Sequence, residues 1–150
     1  MIIGIGTDII EIERIKKVLN KSSKEQFIKR ILNQTEINLY QSKMDSFGIE
    51  QLAIFIAGRW ALKEAISKSL GCGIGEYCSF HDITISNELK GRPVADLTGN
   101  AKNYCQNLID SKMEANASNQ SNDDNKEFNI FVSISHEKNY ATAIAVIENI

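Results

Sequence analysis

Two carboxylates and a crowd of cations carry the chemistry available to this sequence. Asp8 stands at the end of an apolar run in "GIGTD", behind Gly4 and Gly6, and Glu64 lies in "RWALKEAISK", residues 59 to 68, beside Arg59, Lys63 and Lys68. Magnesium favours oxygen ligands in near-octahedral geometry, often taking one or two carboxylates and filling its other positions with water and substrate phosphate oxygens. Asp8 and Glu64 are a pair of that type, with Arg59, Lys63 and Lys68 left to hold phosphates. Spacing along the chain does not show that they meet. Plainer readings stand beside this one. Glu64 and Lys68 have the i, i+4 order of a solvated helix pair, worth roughly 0.2–0.5 kcal/mol. Asp8 equally suits the dipole of a helix beginning near residue 11. The two glycines either admit a close approach by another chain or a ligand, or mark a bulge in the strand.

Other glycine motifs do not decide the matter. A dinucleotide fingerprint needs a third glycine where this chain has Ile9, and no GxxxxGK[ST] occurs. "GIGTD" resembles the first phosphate strand of sugar-kinase and actin-like ATPases, but those need two large domains and 150 residues are too few.

The elements that must position these residues read off in order. Residues 2–10 are Ile-rich and short, a buried strand, and "EIERIKKVL" repeats apolar residues at Ile12, Ile15 and Leu19 as a helix does. Short helices follow over "KEQFIKRIL" and "TEINLYQSK", the second with Thr35 as its N-cap. From Ile49 to Leu70 the spacing predicts one long helix, with Leu52, Ile56, Leu62, Ile66 and Leu70 near one face and Gly71 as its stop. After the glycine-rich "GCGIGEYC", Ile83 and Ile85 alternate in a half-buried strand, "KGRP" turns, "VADL" forms a short strand and "AKNYCQNLI" a helix. The polar run 111–127 cannot bury enough surface to offset its ordering entropy and is expected to be a mobile insertion. "FNIFVSISHE" and "YATAIAVIE" then form a hairpin around Lys138 and Asn139. Helices segregated from largely antiparallel strands make an α+β fold in one domain, 1–150.

Composition bounds the function. Hydrophobic residues at 43%, charged residues at 24% and a net charge of −2 are ordinary for a globular protein and exclude a generally basic nucleic-acid coat. The basic residues are nevertheless concentrated: segment 13–30 holds seven, Arg14, Lys16, Lys17, Lys21, Lys24, Lys29 and Arg30, against Glu13 and Glu25. That run is either a solvated helix face or a docking surface for an acidic partner. No aromatic platform or recognition motif accompanies it, so nucleic acid is not the expected partner. Cys72, Cys78 and Cys105 have no CxxC spacing and read as reduced structural thiols. The apolar start lacks a basic leader and is broken by Gly4, Gly6 and Asp8, so no membrane span is expected and the protein reads as cytoplasmic.

"GIGTDIIEIERI", "AGRWALKEAISKSLGCGIG", "FHDITI", "KGRP" and "VSISHEKNYATAIAVIE" together resemble the 4'-phosphopantetheinyl transferases, specifically the small bacterial holo-acyl-carrier-protein synthases, in order along nearly the whole chain. Thr7 departs from the family's usual aliphatic residue and points to the strand face opposite Asp8; the run 111–127 looks like an insertion. The resemblance implies a phosphopantetheinyl transferase fold around a long central helix, assembled as a trimer with sites between subunits. It implies transfer of the phosphopantetheine arm of coenzyme A to a serine of apo acyl carrier protein, releasing adenosine 3',5'-bisphosphate, in fatty acid biosynthesis. On the matching positions Asp8 and Glu64 are magnesium ligands, Lys68 holds phosphate, and either Glu64 or a bound water takes the serine proton. Arg59, Lys63, Gly91, Arg92, Pro93, Ser135 and His136 match coenzyme A contacts. Arg14 matches the carrier-binding arginine, with Lys17, Lys21 and Lys24 on the same basic run. The alternatives are a broad-specificity transferase, whose relatives carry two fused copies of this fold, and a noncatalytic carrier-binding module.

Overall fold

Apolar strands at both ends of the chain pair with each other and close the molecule around a central helix. The computed structural model describes residues 1–115 and 127–150. Strand β1 (Ile2–Glu11) leads into α1 (Ile12–Leu19), α2 (Lys24–Ile31), α3 (Gln34–Met44) and the long α4 (Ile49–Ser69). A 3-10 turn (Phe80–Asp82), the hairpin of β2 (Ile83–Asn87) and β3 (Pro93–Leu97), α5 (Gly99–Glu114), β4 (Phe128–His136) and β5 (Tyr140–Asn149) complete it. One sheet has the order β1-β5-β4 and the other is β2-β3; every pairing is antiparallel. The α+β expectation holds, and so does the terminal hairpin, closed where the Glu137 amide donates to the Tyr140 carbonyl at 3.0 Å.

In β1 a bulge between Ile2 and Gly4 resets the alternation. From there Gly6 and Ile10 are buried and Asp8 is half-buried, while Ile5, Thr7 and Ile9 face out. Thr7 and Asp8 thus lie on opposite faces, as strand geometry requires. The inner face continues in β5 as Ala141, Ala143, Ala145 and Ile147, all buried. Small alanines there let α4 lie close across the sheet.

Helix α4 differs from the expected one-faced pattern. Ala53, Ile56, Ala57, Ala61, Leu62, Ala65 and Ile66 are all fully buried, and they do not lie on a single stripe. The reason is its position: α4 packs on β1, β4 and β5 and is also covered by α1 and α3. A helix enclosed on several sides is apolar around most of its circumference. It stops as expected, with Gly71 at φ 80° donating its amide to the Lys68 carbonyl at 2.9 Å.

Two local expectations are corrected. The N-cap of α3 is Asn33, not Thr35: the Asn33 side chain accepts from the Glu36 amide at 3.2 Å and the Glu36 carboxylate accepts from the Asn33 amide at 3.0 Å. Residues 111–114, expected in the mobile insertion, belong to α5. Residues 116–126 of that expected insertion, 111–127, lie outside the described residues. The three cysteines are free, and burial pushes the Cys78 thiol up to about 12 and the Cys105 thiol up to about 11. Among the described residues no helix is long and apolar enough to cross a membrane.

Candidate active site

What brings Asp8 to Glu64 is the absence of two side chains. A Cβ on Gly4 would lie 1.9 Å from the Ser69 carbonyl oxygen, and one on Gly6 would lie 2.0 Å from that of Ala65. No such contact is sterically possible, so only glycine lets the backbone of α4 rest on that of β1. Of the readings open for these glycines, close approach is the one that applies at Gly6, and the approaching chain is α4 itself; Gly4 serves both this contact and the bulge.

Asp8 follows Gly6 on the same strand face, and Glu64 and Lys68, one turn apart, flank this contact on the helix. The Lys68 ammonium donates to Asp8 Oδ1 at 2.7 Å and to the Thr7 carbonyl at 3.2 Å. The Asp8 side chain is 14% exposed and that of Lys68 is 48% exposed, so the pair lies at the edge of solvent. Thr142 of β5 donates its hydroxyl to the Asp8 carbonyl at 2.9 Å and ties the third element to the site. The pKa of Glu64 is raised above its ordinary value, first by burial and then by the Asp8 charge, with Lys68 opposing. Burial and the Asp8 charge thus both work against the Glu64 carboxylate, and a bound cation would offset them.

That donor set fits magnesium: hard oxygens, two carboxylates, and a solvent-facing side for water and phosphate. Among the described residues no group of three or more His, Cys, Asp or Glu is placed to hold a metal, so water and substrate oxygens would have to complete a cation's shell here.

The other expected contacts are distributed differently. Lys63 is in the core and its expected contact with coenzyme A is corrected: it is 0% exposed, and its ammonium donates to Glu36 Oε2 at 2.5 Å and to the carbonyls of Ile31 and Phe80 at 2.8 and 2.9 Å. All three of its donors are used. Arg59 is 5% exposed, its guanidinium stacked on Phe55 and donating to Asn87 Oδ1 at 2.8 Å. Desolvation lowers its pKa, with Glu36 opposing. Asn87 in turn donates to the Gly91 carbonyl at 2.9 Å, so Arg59 braces the β2-β3 turn from inside. That turn holds Gly91 at φ 89°, Arg92 paired with Glu88 at 2.9 Å, and Pro93 opening β3. Ser135 and His136 are exposed at the end of β4. Among the described residues no hydrogen bond or ion pair links Arg92, Ser135 or His136 of this chain to Asp8, Glu64 or Lys68.

The basic run forms one side of a groove of about 240 Å³, floored by Ile10, Val18, Phe27 and Trp60 and rimmed by Arg14, Lys17 and Lys21. Lys16 turns away to pair with Glu50 of α4, and Lys24 is not among the lining residues. A larger cleft of about 550 Å³ between β3, α5 and β4 contains none of the residues singled out by chemistry. The residue that sequence reasoning missed is Glu36, 1% exposed beneath Lys63. Its signal was the Asn33-to-Glu36 capping-box spacing.

With this geometry in view, comparison with known proteins is decisive. A family model described as the 4'-phosphopantetheinyl transferase superfamily matches residues 4–145. The chain belongs to that superfamily. A holo-[acyl-carrier-protein] synthase of Aliivibrio salmonicida is 39% identical over 148 residues, covering 99% of this chain and 98% of the relative. Among solved structures, a Bacillus anthracis holo-(acyl-carrier-protein) synthase in complex with CoA (3',5'-ADP) is 35% identical with TM-score 0.71, covering 98% of this chain and 96% of the other. A Plasmodium yoelii acyl carrier protein synthase with ADP bound is 34% identical with TM-score 0.76, covering 98% and 95%. This chain is therefore a phosphopantetheinyl transferase, with the α+β fold of its solved relatives.

Proposed function

We propose that this transferase moves the 4'-phosphopantetheine arm of coenzyme A to a serine hydroxyl of apo acyl carrier protein in a magnesium-dependent reaction, in the cytoplasm and in the service of fatty acid biosynthesis. The observation that carries the reading is the placement of Asp8, Glu64 and Lys68 at one solvent edge, with Lys68 bonded to Asp8 and Glu64 raised by its field. The coenzyme A complex of the Bacillus anthracis relative supports the choice of cosubstrate.

In the reaction the serine oxygen forms a bond to the β-phosphorus of coenzyme A, and the pyrophosphate P–O bond breaks with its electron pair leaving on adenosine 3',5'-bisphosphate. Asp8 and Glu64 would hold magnesium, which when bound supplies positive charge against the pyrophosphate. Lys68, half exposed and able to swing from Asp8 to a phosphate oxygen, neutralises charge as it builds on the leaving group. Either Glu64 or a water on the metal would take the serine proton. Gly91, Arg92 and Pro93, with Ser135 and His136, contact coenzyme A; Arg59 acts on it indirectly, through Asn87 and the turn.

A trimer with sites between subunits would bring Ser135 and His136 of one chain to the carboxylates of its neighbour. The outer face of the sheet supports it, since Ile5, Ile9, Phe131 and Ile144 are 58%, 65%, 53% and 42% exposed on adjacent strands. Carrier protein docks along α1 at Arg14, Lys17 and Lys21, with Lys24 extending the basic run. The chain works as one domain, 1–150, carrying an insertion before β4.

The test is incubation of the purified protein with coenzyme A, magnesium and apo carrier. The carrier should gain one phosphopantetheine by mass, and chelation of the metal should abolish the gain. A competent control enzyme beside an inactive sample would overturn the reading.

A further inference from the structure

We propose that the buried Glu36–Lys63 pair is a positioning device for the reaction: it fixes the roll of α4 about its axis, and with it the direction in which Glu64 faces Asp8. The inference rests on the proposed use of Asp8 and Glu64 as a metal-holding pair.

The pair is complete and dry. Lys63 is 0% exposed and Glu36 is 1% exposed. Besides Lys63, the Glu36 carboxylate accepts from the Ile85 amide at 3.1 Å and the Asn33 amide at 3.0 Å. With the Ile31 and Phe80 carbonyls on the ammonium at 2.8 and 2.9 Å, one cluster joins α2, α3, α4, the 3-10 turn and β2. A buried ion pair is weak evidence of stabilisation, because an apolar pair of similar volume often does as well; its best-attested use is to specify one arrangement among several.

Helix α4 needs such a specification. Ala53, Ala57, Ala61, Leu62, Ala65 and Ile66 are all buried, so apolar burial changes little if the helix turns slightly. Apolar contact is non-directional, whereas hydrogen bonds to Lys63 weaken steeply off line. Lys63 and Glu64 are consecutive, about 100° apart on the helix, so the angle fixed at one is fixed at the other. Side-chain ends lie about 5–6 Å from a helix axis, so a roll of about 10° moves the Glu64 carboxylate by roughly 1 Å. Metal ligands tolerate about 0.2 Å. The glycine contact sets how closely α4 approaches β1; the Lys63 cluster sets which residues it turns toward that strand.

Two variants test this. Glu36→Asp keeps the charge and withdraws it by one methylene. Glu36→Gln combined with Lys63→Met removes both charges and keeps an acceptor for the Ile85 amide. Each is compared with wild type for melting temperature, for kcat and KM with coenzyme A, and for Mn2+ affinity read by electron paramagnetic resonance. The expectation is a kcat lower by about tenfold to a hundredfold, weaker Mn2+ binding, and a KM for coenzyme A within about twofold, all in protein that melts well above the assay temperature. If the double variant does not fold, Glu36→Asp decides. Wild-type kcat and Mn2+ affinity in a folded variant overturn the proposal. If Glu64→Gln is inactive in the same assay while these variants turn over normally, only this inference fails; if Glu64→Gln is fully active, the underlying metal-pair reading fails with it.

Discussion

At the residue scale, Glu64 holds a charge that the fold resists. Its folded pKa lies above the unfolded value of 4.5. A carboxyl of that kind contributes stability that is complete below the unfolded pKa and is lost as pH rises through the folded one. Glu64→Gln should cut turnover by at least about a hundredfold and yet raise the melting temperature at pH 7 in chelator. The stability gain should close as pH falls below 4.5, where Glu64 is neutral in both states. Differential scanning calorimetry at the two pH values reads it, and a destabilised Gln variant at neutral pH would show that Asp8 and burial do not act on Glu64 as described. Magnesium should reverse the order, stabilising wild type more than the variant, because binding to the native state alone stabilises it.

At the element scale, the contact between β1 and α4 is a backbone contact, and its tolerance is small. Gly6→Ala would place a methyl carbon 2.0 Å from the Ala65 carbonyl oxygen, a fixed atom of the helix backbone. The helix must move off the strand or the strand must bend. Overpacking of this kind costs about 1–3 kcal/mol, a fall in melting temperature of about 3–10 °C for a chain of this size. Because the displaced elements carry Asp8 and Glu64, turnover should fall more than stability does, and kinetics measured below the melting transition separate the two. Periodicity made the elements legible: β1, α4 and the β4-β5 hairpin all stand where the apolar spacing puts them, since that signal is local. The cap of α3 differs from the expected Thr35 for a local reason too: Thr35 and Asn33 are both good caps, and only Glu36 reaching back to the Asn33 amide selects between them.

At the scale of the whole molecule, the buried apolar residues form one cluster from Ile3 to Ile147, so both termini are tied into the core that holds the site. The trimer proposed on the sheet's outer face predicts that Ile144→Glu, a charge placed among Ile5, Ile9 and Phe131, leaves a monomer by sedimentation and lowers turnover. The α1 groove predicts that Arg14→Glu raises KM for the carrier about tenfold, more at low salt than at high, and leaves KM for coenzyme A unchanged. Trp60, the only tryptophan, lies on the groove floor, and its fluorescence should shift on carrier docking and fail to do so in that variant. Equal impairment with both substrates would remove the groove from this role.

By itself the sequence determined the elements, the residue types able to hold a cation and phosphates, and the family. Those are properties of local spacing and of motifs, which survive without knowledge of the fold. Only tertiary structure decided what the glycines of β1 touch, that Lys68 reaches Asp8 from 60 positions away, and that Lys63 turns inward to Glu36, 27 positions away. Lys63 and Lys68 are chemically equivalent on paper. One is enclosed by three acceptors and the other faces water, because the layers packed around α4 differ on the two sides, and packing between distant segments is written in no local pattern.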